Sequence, residues 1–489
     1  MLGKVISSST QTVQFRIHDA EEFENVKVGD LVVIESKYIY LARINELEAR
    51  HLGESVLPDK IAALTFSDTV DSIQGVYGPQ FYYTALASLL GILDENSRRI
   101  RGAKSLPKYL APVRRVTEED LAFLPTGVSQ ICVGTVRDMS VPIHLDVDTF
   151  VSKHAGVFGK TGSGKSNAVK VILREVKARS IATVVFDVHS EYGYHPVGLG
   201  GLENVFVLGL RGAECDVSLH IPRTLINPSE LAAITDITSA QQDALDLIHN
   251  RERDWLDYLA TRGAEHIYED FEKEIHLETI SALKRKVSRI THYEFVGEQF
   301  DSLTYILKKI SQGGTVIIDF GEYENNDWVI RLVSSIVGRY LLNQFRTARR
   351  KNNPLPKTLL VLEEAHKLLS KELARGTVFE KIVREGRKFN LGLCIIDQMP
   401  KKILDEIISQ LNTIIILLLT NLKDREQLIN SSENDLTDLK EEMKRLDIGE
   451  AIITGISVPI PIPAQIDLFD RRTLEKKEEK EEFREFDWN

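Results

Sequence analysis

Two hydrophobic rhythms divide the chain near residue 150. Before that point apolar and polar positions alternate in short segments: Val5-Ile6, Thr12 to Ile17 (TVQFRI), Leu31 to Ile34, Tyr38 to Ile44 and Ile131 to Val133, with Gly29-Asp30 marking a turn. Several short period-two runs separated by turns predict a small β-barrel over residues 1–145. After it the apolar runs become continuous and alternate with helical spacing: Ala155-Gly156-Val157-Phe158, Thr183 to Asp187, Val205 to Leu208, Thr315 to Phe320, Thr358 to Leu362, Leu393 to Asp397 and Ile414 to Leu419. Strands apolar on both faces predict a parallel sheet covered on both sides. That places an α/β core at 146–225 and 312–468. Between 226 and 311 the alternation gives way to helical periodicity, with Leu245, Ile248, Trp255, Leu256 and Leu259 at three- to four-residue intervals and Ser239 as a cap. This predicts a helical insertion. Residues 469–489, containing KKEEKEEF, read as a charged tail, mobile or used for docking.

Composition narrows this picture. A chain of 489 residues exceeds what one core supports. The longest apolar run, Ile414 to Leu419, is far short of the ~18 to 20 residues of a membrane span. The amino terminus lacks a basic region followed by an apolar one. Cys132, Cys215 and Cys394 lie far apart without zinc spacing, as reduced thiols would. A soluble cytoplasmic protein with no membrane association is therefore expected. The net charge of −11 argues against a surface that coats nucleic acid indiscriminately. It leaves room for local basic regions. One runs from Arg98 to Arg115, with seven basic residues and no acidic one; another comprises Arg346, Arg349, Arg350 and Lys351. Each suits a solvated face, a subunit contact or a nucleic-acid contact.

Chemistry enters with Gly159-Lys160-Thr161-Gly162-Ser163-Gly164-Lys165-Ser166, which satisfies the phosphate-loop pattern G-x-x-x-x-G-K-[ST] between a predicted strand and a predicted helix. Its glycines let backbone N–H groups turn toward phosphate oxygens, and the helix start adds partial positive charge. Gly162, Ser163, Gly164, Lys165, Ser166 and Asn167 are the expected ATP-binding set. Lys165 would neutralise phosphate, and Ser166 would hold Mg²⁺.

Hydrolysis also needs carboxylates at the end of a nearby strand. Leu359-Leu360-Val361-Leu362-Glu363-Glu364 supplies two. Glu364 is the expected catalytic base. Glu363 would approach Mg²⁺ through water, where Asp is usual. The alternative for both acids is capping of the next helix. Asp187, followed by His189 and Glu191, ends another strand and is a further catalytic candidate; a turn with a helix start is its alternative. Gln398 ends the strand after Glu364, where a carboxamide can sense an intact γ-phosphate. Arg384 and Arg387 stand one helical turn apart, placed either to reach the phosphate of an adjacent subunit or to form ion pairs within one chain.

The ordered set GKTGSGKS, FDVHSEY, VLEEAH and REGRKFNLGLCIIDQMP, with GEAIITG at Gly449 to Gly455 and an amino-terminal barrel, resembles the HerA family of archaeal hexameric DNA translocases in the HerA and FtsK group. The resemblance covers most of residues 1–470. It implies a HAS-type barrel, a RecA-like ATPase core with a helical insertion, a homohexameric ring with ATP between subunits, and duplex DNA in the pore. It also implies helicase or translocase work with the nuclease NurA in resecting double-strand breaks. Carried over by position, Lys165, Ser166, Glu364, Gln398 and Arg384 or Arg387 match the ATPase machinery, and Lys153 matches a basic residue that touches nucleotide. Asp397 and Met399 depart from the commoner hydroxyl-Gln-Arg-Pro pattern around the sensor.

Other functions fit parts of the same pattern. A conjugation or segregation pump shares the motifs but usually carries membrane segments. A non-motor scaffold would bind nucleotide and recruit partners through barrel and tail. A metabolite kinase leaves the barrel and the two strand-end acids without a purpose.

Overall fold

The computed structural model describes residues 1–51, 81–94, 97–127, 130–297, 300–372, 377–432 and 435–470. From residue 471 the charged tail lies outside them. Seven strands form the amino-terminal unit: β1 (Gly3–Ser8), β2 (Thr12–Ile17), β3 (Leu31–Glu35), β4 (Ile39–His51), β5 (Phe81–Asp94), β6 (Arg99–Arg101) and β7 (Pro112–Arg115). In β2, Val13, Phe15 and Ile17 are buried while the residues between them are not, as the alternation predicts. The strand order is β2-β1-β7-β3-β4-β5-β6, and β2 also pairs with β5, so six strands close into a barrel and β6 is left as an edge on β5. Closure hides strand edges that would otherwise pair with other chains.

The barrel strands stop at Arg115, well before residue 145. Ile131–Val133 lie instead in the hairpin of β8 (Gln130–Val136) and β9 (Pro142–Asp146), which joins the core sheet through β19 (Ile462–Ile466). Alternation fixes which face of a strand is buried but not which sheet it joins.

The remaining core strands are β10 (Ala155–Phe158), β11 (Ala182–Asp187), β12 (Val205–Gly209), β13 (Val217–Ser218), β14 (Thr315–Asp319), β15 (Thr358–Leu362), β16 (Leu391–Asp397), β17 (Thr413–Ile416) and β18 (Glu450–Gly455). Their order is β13-β12-β14-β11-β15-β16-β10-β17-β18-β19-β8-β9, parallel as far as β17 and antiparallel beyond it. The phosphate-loop strand β10 thus sits between β16 and β17, away from its sequence neighbour β11. This is the RecA-like P-loop ATPase arrangement. Along β14, Val316 and Ile318 face one hydrophobic cluster and Ile317 the other, which explains the continuous apolar runs.

Short helices fill 228–291. The insertion shares its core with the sheet: Leu245, Ile248, Trp255, Leu256 and Leu259 pack in the same cluster as Phe186 and Val316. The helix Ser302–Ser311, which falls within the predicted insertion, packs on β11 and β14 as a crossover helix of the sheet. The cap of the helix Ser239–Arg251 is Thr238 rather than Ser239. Its hydroxyl accepts from Gln241 N at 3.3 Å while Gln241 Oε1 accepts from Thr238 N at 3.4 Å, a reciprocal capping box.

Barrel and core meet at a buried ionic joint. Arg43 of β4 pairs with Glu442 at 3.3 Å, and Arg137 pairs with the other oxygen of Glu442 at 3.2 Å. Both Arg43 and Glu442 side chains are at most 3% exposed. Burial pushes the Arg43 guanidinium below its usual value, with Glu442 opposing.

Candidate functional site

The phosphate loop is shaped by glycine. Gly162 has φ 77° and Gly164 φ 99°, the left-handed region where a side chain is strained. Gly164 is also the N-cap of the helix Lys165–Lys177, whose buried residues include Val169, Ile172 and Val176. The loop rests on its neighbours: Gly159 N donates to Asp397 O at 3.2 Å, Lys160 N to Leu418 O at 2.8 Å, and Gly449 N to Ser163 O at 3.2 Å. Residues 417–419 were expected to continue β17; the strand ends at Ile416, and Leu418 serves as this buttress. Lys165 Nζ donates to Lys160 O at 3.1 Å. Burial lowers its pKa, while Glu364, Asp397, Glu363 and Glu191 pull it upward.

Strand ends bring a polar group around this loop. Gln398 accepts from the Thr161 hydroxyl at 2.5 Å through Oε1 and donates through Nε2 to both Glu364 oxygens at 3.2 and 3.3 Å. Glu364 adopts φ 48°, rare for a residue with a side chain, and this conformation is locked by Ala365 N donating to Ile396 O and Lys367 N to Glu364 O. Its carboxylate lies 3.7 Å from His189 Nε2 and 3.5 Å from His366 Nδ1. Burial raises the Glu364 pKa, but the bond to His189, the nearby His366 and the Gln398 amide outweigh it, and the carboxyl titrates below its usual range. His189 is correspondingly pushed up to about 9, chiefly by its bond to Glu364. His366 donates from Nδ1 to Asp397 Oδ2 at 2.9 Å, and its backbone N–H donates to the same oxygen at 2.6 Å. Asp397, unusual beside the sensor position, therefore orients His366.

Asp187 does not reach this group with a free carboxylate. It is fully buried, and its oxygens accept from the backbone N–H groups of Glu191, Tyr192 and Gly193 at 2.9 to 3.1 Å. The expected catalytic residue holds the following turn, because a strand-end Asp satisfies turn N–H groups more readily than water can in this buried place. Its register partner on β14 is Asp319. Burial, reinforced by Asp319, pushes the Asp187 carboxyl up to about 7. Glu363 Oε2 accepts from Val188 N at 2.8 Å and His189 N at 3.1 Å, and burial with Asp187 nearby pushes that carboxyl up to about 8. Asn167 is also placed elsewhere than expected. Its amide donates to Asp467 O at 2.7 Å and accepts from Phe469 N at 2.9 Å, so its side chain anchors the segment after β19 rather than facing the loop.

Lys153, Arg384 and Arg387 gather at the opposite edge of the sheet. Phe158, just before the phosphate loop, is in register with Asp397 at the far end of β16, whereas Arg387 precedes Leu391 at its start. Seven strand residues separate these ends, about 20 Å. Lys153 lies on the same distant edge, just before β10. The adjacent His154 accepts from Leu393 N through Nδ1 at 3.0 Å, so Nε2 carries the proton and donates to Val383 O at 2.9 Å. Arg384 pairs with Glu380 at 2.8 Å; Arg387 is exposed and makes no ion pair among the described residues. These three cations cannot serve the phosphate loop of their own chain.

A family model described as the central domain of the helicase HerA matches residues 131–340. The DNA double-strand break repair helicase HerA of Saccharolobus solfataricus is 28% identical over 375 residues, covering 74% of this chain and 73% of that protein. The protein of the same name from Sulfolobus acidocaldarius is 26% identical over 488 residues, covering 96% and 93%.

The chain is similar to HerA helicases, through the family's central domain at residues 131–340 and through these relatives over most of its length.

Among solved structures, the bacterial conjugative coupling protein TrwB aligns with TM-score 0.49 and 15% identity over 71% of this chain and 91% of that one. Among the described residues, no helix is long and apolar enough to cross a membrane.

Three residues of the site carry no role in the sequence reading. Thr161 occupies a variable position of the loop motif, and its signal is only that it is a hydroxyl residue there. His189 and His366 each follow a strand-end acid by two residues. Histidine beside paired carboxylates was the available signal, but its partners come from three strands.

Proposed function

We propose that this chain is an ATP-hydrolysing motor that translocates on duplex DNA as a ring of six. The carrying observation is the chain of bonds from Thr161 through Gln398 to Glu364, which ties the phosphate loop to a carboxylate held ionised. Glu364 takes the proton of the attacking water, and Gln398 reports on the phosphate end of the loop.

The loop suits a nucleoside triphosphate. Among the described residues, apart from Gly162 and its chain neighbours, no atom lies within 4 Å of where a Gly162 side chain would begin, and the Ser163 hydroxyl is buried with no hydrogen-bond partner. Gly162, Ser163, Gly164, Lys165 and Ser166 hold the phosphates, Lys165 exchanging its bond to Lys160 O for one to phosphate. Ser166 and Glu363 would hold Mg²⁺; a carboxyl that burial keeps protonated near neutral pH would ionise beside a cation. Bound Mg²⁺ would stabilise charge developing on the transferred phosphoryl oxygens.

Lys153 and Arg387 complete the site of a neighbouring subunit, with Arg384 beside them, because their edge of the sheet faces away from their own loop. Hydrolysis then depends on assembly. The motor acts in end resection at double-strand breaks with a nuclease of NurA type seated on the barrel.

Glu364→Gln tests this reading. The variant binds ATP and duplex DNA with near-normal affinity but hydrolyses on the order of 10² to 10⁴ times more slowly. Hydrolysis at the parent rate, or a parent rate indifferent to duplex DNA, overturns it.

A further inference from the structure

The barrel carries a positive surface that the ATPase site does not use. Beyond β6 the chain crosses one end of the barrel before entering β7, and the crossing is pinned to the strands beneath it. Ser105 Oγ bonds Tyr40 Oη at 2.8 Å, Lys108 N donates to Ser36 Oγ at 3.2 Å, Ser8 Oγ donates to Pro107 O at 3.3 Å, and Leu110 N donates to Val5 O at 2.9 Å. This strap is therefore a fixed element on a rigid scaffold.

Its charges are free. Arg101, Lys104 and Lys108 are exposed and make no ion pair among the described residues, in contrast to Arg114, which pairs with Glu35 and Asp120, and Arg115, which pairs with Glu22. Arg99 and Arg101 flank half-buried Ile100, so the strand period places both on the outward face of the edge strand β6. Arg98 and Arg99 share a cleft of about 610 Å³ with Asp94, Glu119 and Asp120, which concentrates the uncompensated charge at Arg101, Lys104 and Lys108. Lys37, in the turn between β3 and β4 beneath the strap, adds a fourth cation. Tyr109 is 66% exposed on the same strap.

It lies at the end of β3 opposite the ionic joint. Asp30, just before β3, lies 3.5 Å from Arg137 at the barrel–core joint, whereas the strap rests on Ser36 at the other end of β3. On a chain of net charge −11, four unpaired cations at one barrel end form a local field selective for polyanions.

We propose that this barrel end, built from Lys37, Arg101, Lys104 and Lys108, contacts the phosphate backbone of duplex DNA outside the ATPase core. Fixed, unpaired cations without a built pocket suit backbone contact, which carries no base information. The inference rests on the DNA-motor reading and adds to it a second contact region, on the barrel.

The test measures binding of a fluorescent 40-base-pair duplex by the full chain as salt is varied, for the parent and for Arg101→Gln/Lys104→Gln/Lys108→Gln. Each phosphate contact contributes about 0.9 to the slope of log affinity against log salt, so the triple variant loses about 2.7 from it. Basal ATP hydrolysis without DNA and the melting temperature stay at parent values, and Arg101→Lys/Lys104→Arg/Lys108→Arg restores the slope. An unchanged slope in the neutralised variant, with a steep one in the parent, overturns the barrel contact alone and leaves an acidic protein surface as its partner. A parent that binds no duplex overturns the DNA-motor reading with it.

Discussion

The Thr161 hydroxyl donates to Gln398 Oε1 at 2.5 Å, joining a variable position of the phosphate loop to the end of β16. The same Gln398 amide donates to both oxygens of Glu364, so displacement of the loop is transmitted to the carboxylate through one side chain. Thr161→Val keeps the backbone cradle and nucleotide affinity but removes this bond, and hydrolysis falls about tenfold, the worth of one hydrogen bond near 1.4 kcal/mol. Gln398→Ala costs at least as much. The double variant is expected within about threefold of Gln398→Ala, because residues in one network do not add. Multiplicative losses in steady-state ATPase assays would separate the two residues and refute the relay.

His189 and Glu364 hold each other charged. With His189 pushed up to about 9 and Glu364 held below its usual range, both are ionised at neutral pH. His189→Gln removes the cation, so the Glu364 pKa rises and the acid limb of the kcat profile moves to higher pH. The variant loses more activity at pH 6 than at pH 8. Equal losses at both values would place the role of His189 outside the titration of Glu364.

His154 sets a pH dependence of stability. Burial lowers its pKa from 6.5 to about 4, so between these values the unfolded chain binds a proton that the folded chain does not. Stability from this group is full above about pH 6.5 and is lost as pH falls toward 4. Between pH 7 and pH 5 the loss is about 2 kcal/mol at 1.36 kcal/mol per unit. Urea unfolding of the parent and of His154→Gln at both pH values checks this: the variant is less stable at pH 7, through its lost bonds to Leu393 and Val383, but loses about 2 kcal/mol less on acidification.

Glu442 neutralises two buried arginines from different parts of the chain. Glu442→Ala leaves Arg43 and Arg137 without their shared carboxylate, and removal of one member of a buried ionic group costs roughly 3 to 5 kcal/mol. The expected readout is a lower unfolding temperature together with faster proteolysis between barrel and core. An unchanged melting curve would mean that water or Asp30 replaces Glu442.

Much of the core was legible because its signals are local. The Gly162 and Gly164 positions, the strand ends at Asp187, Glu364 and Gln398, and the apolar runs of β11, β14 and β15 follow from spacing along the chain. What was illegible depended on three-dimensional pairing. Nothing near Ile131 indicates that its strand will find β19, more than 300 residues later. Asp187 and Glu364 both end core strands, yet three turn N–H groups occupy the first and leave the second for chemistry. The Asn167 amide was claimed by Asp467 and Phe469, a competition no motif records.

Arg387 and Glu364 stand at opposite ends of the parallel sheet, and that separation gives a test that needs no structure of the assembly. Arg387→Ala is expected to reduce hydrolysis on the order of 10³-fold, the low end for an arginine acting on a phosphoryl group. Glu364→Gln is likewise inactive. If Arg387 acts on a neighbour's site, mixing the two inactive proteins creates interfaces with an intact Glu364 from the Arg387→Ala subunit and an intact Arg387 from the Glu364→Gln subunit. ATPase activity then returns to a fraction of the parent rate that depends on the mixing ratio. Arg384→Ala is expected to lose less than Arg387→Ala, because the Arg384 guanidinium is already paired with Glu380 at 2.8 Å. No recovery at any ratio, with mixed assembly confirmed by differently tagged subunits, would remove Arg387 from the neighbouring site.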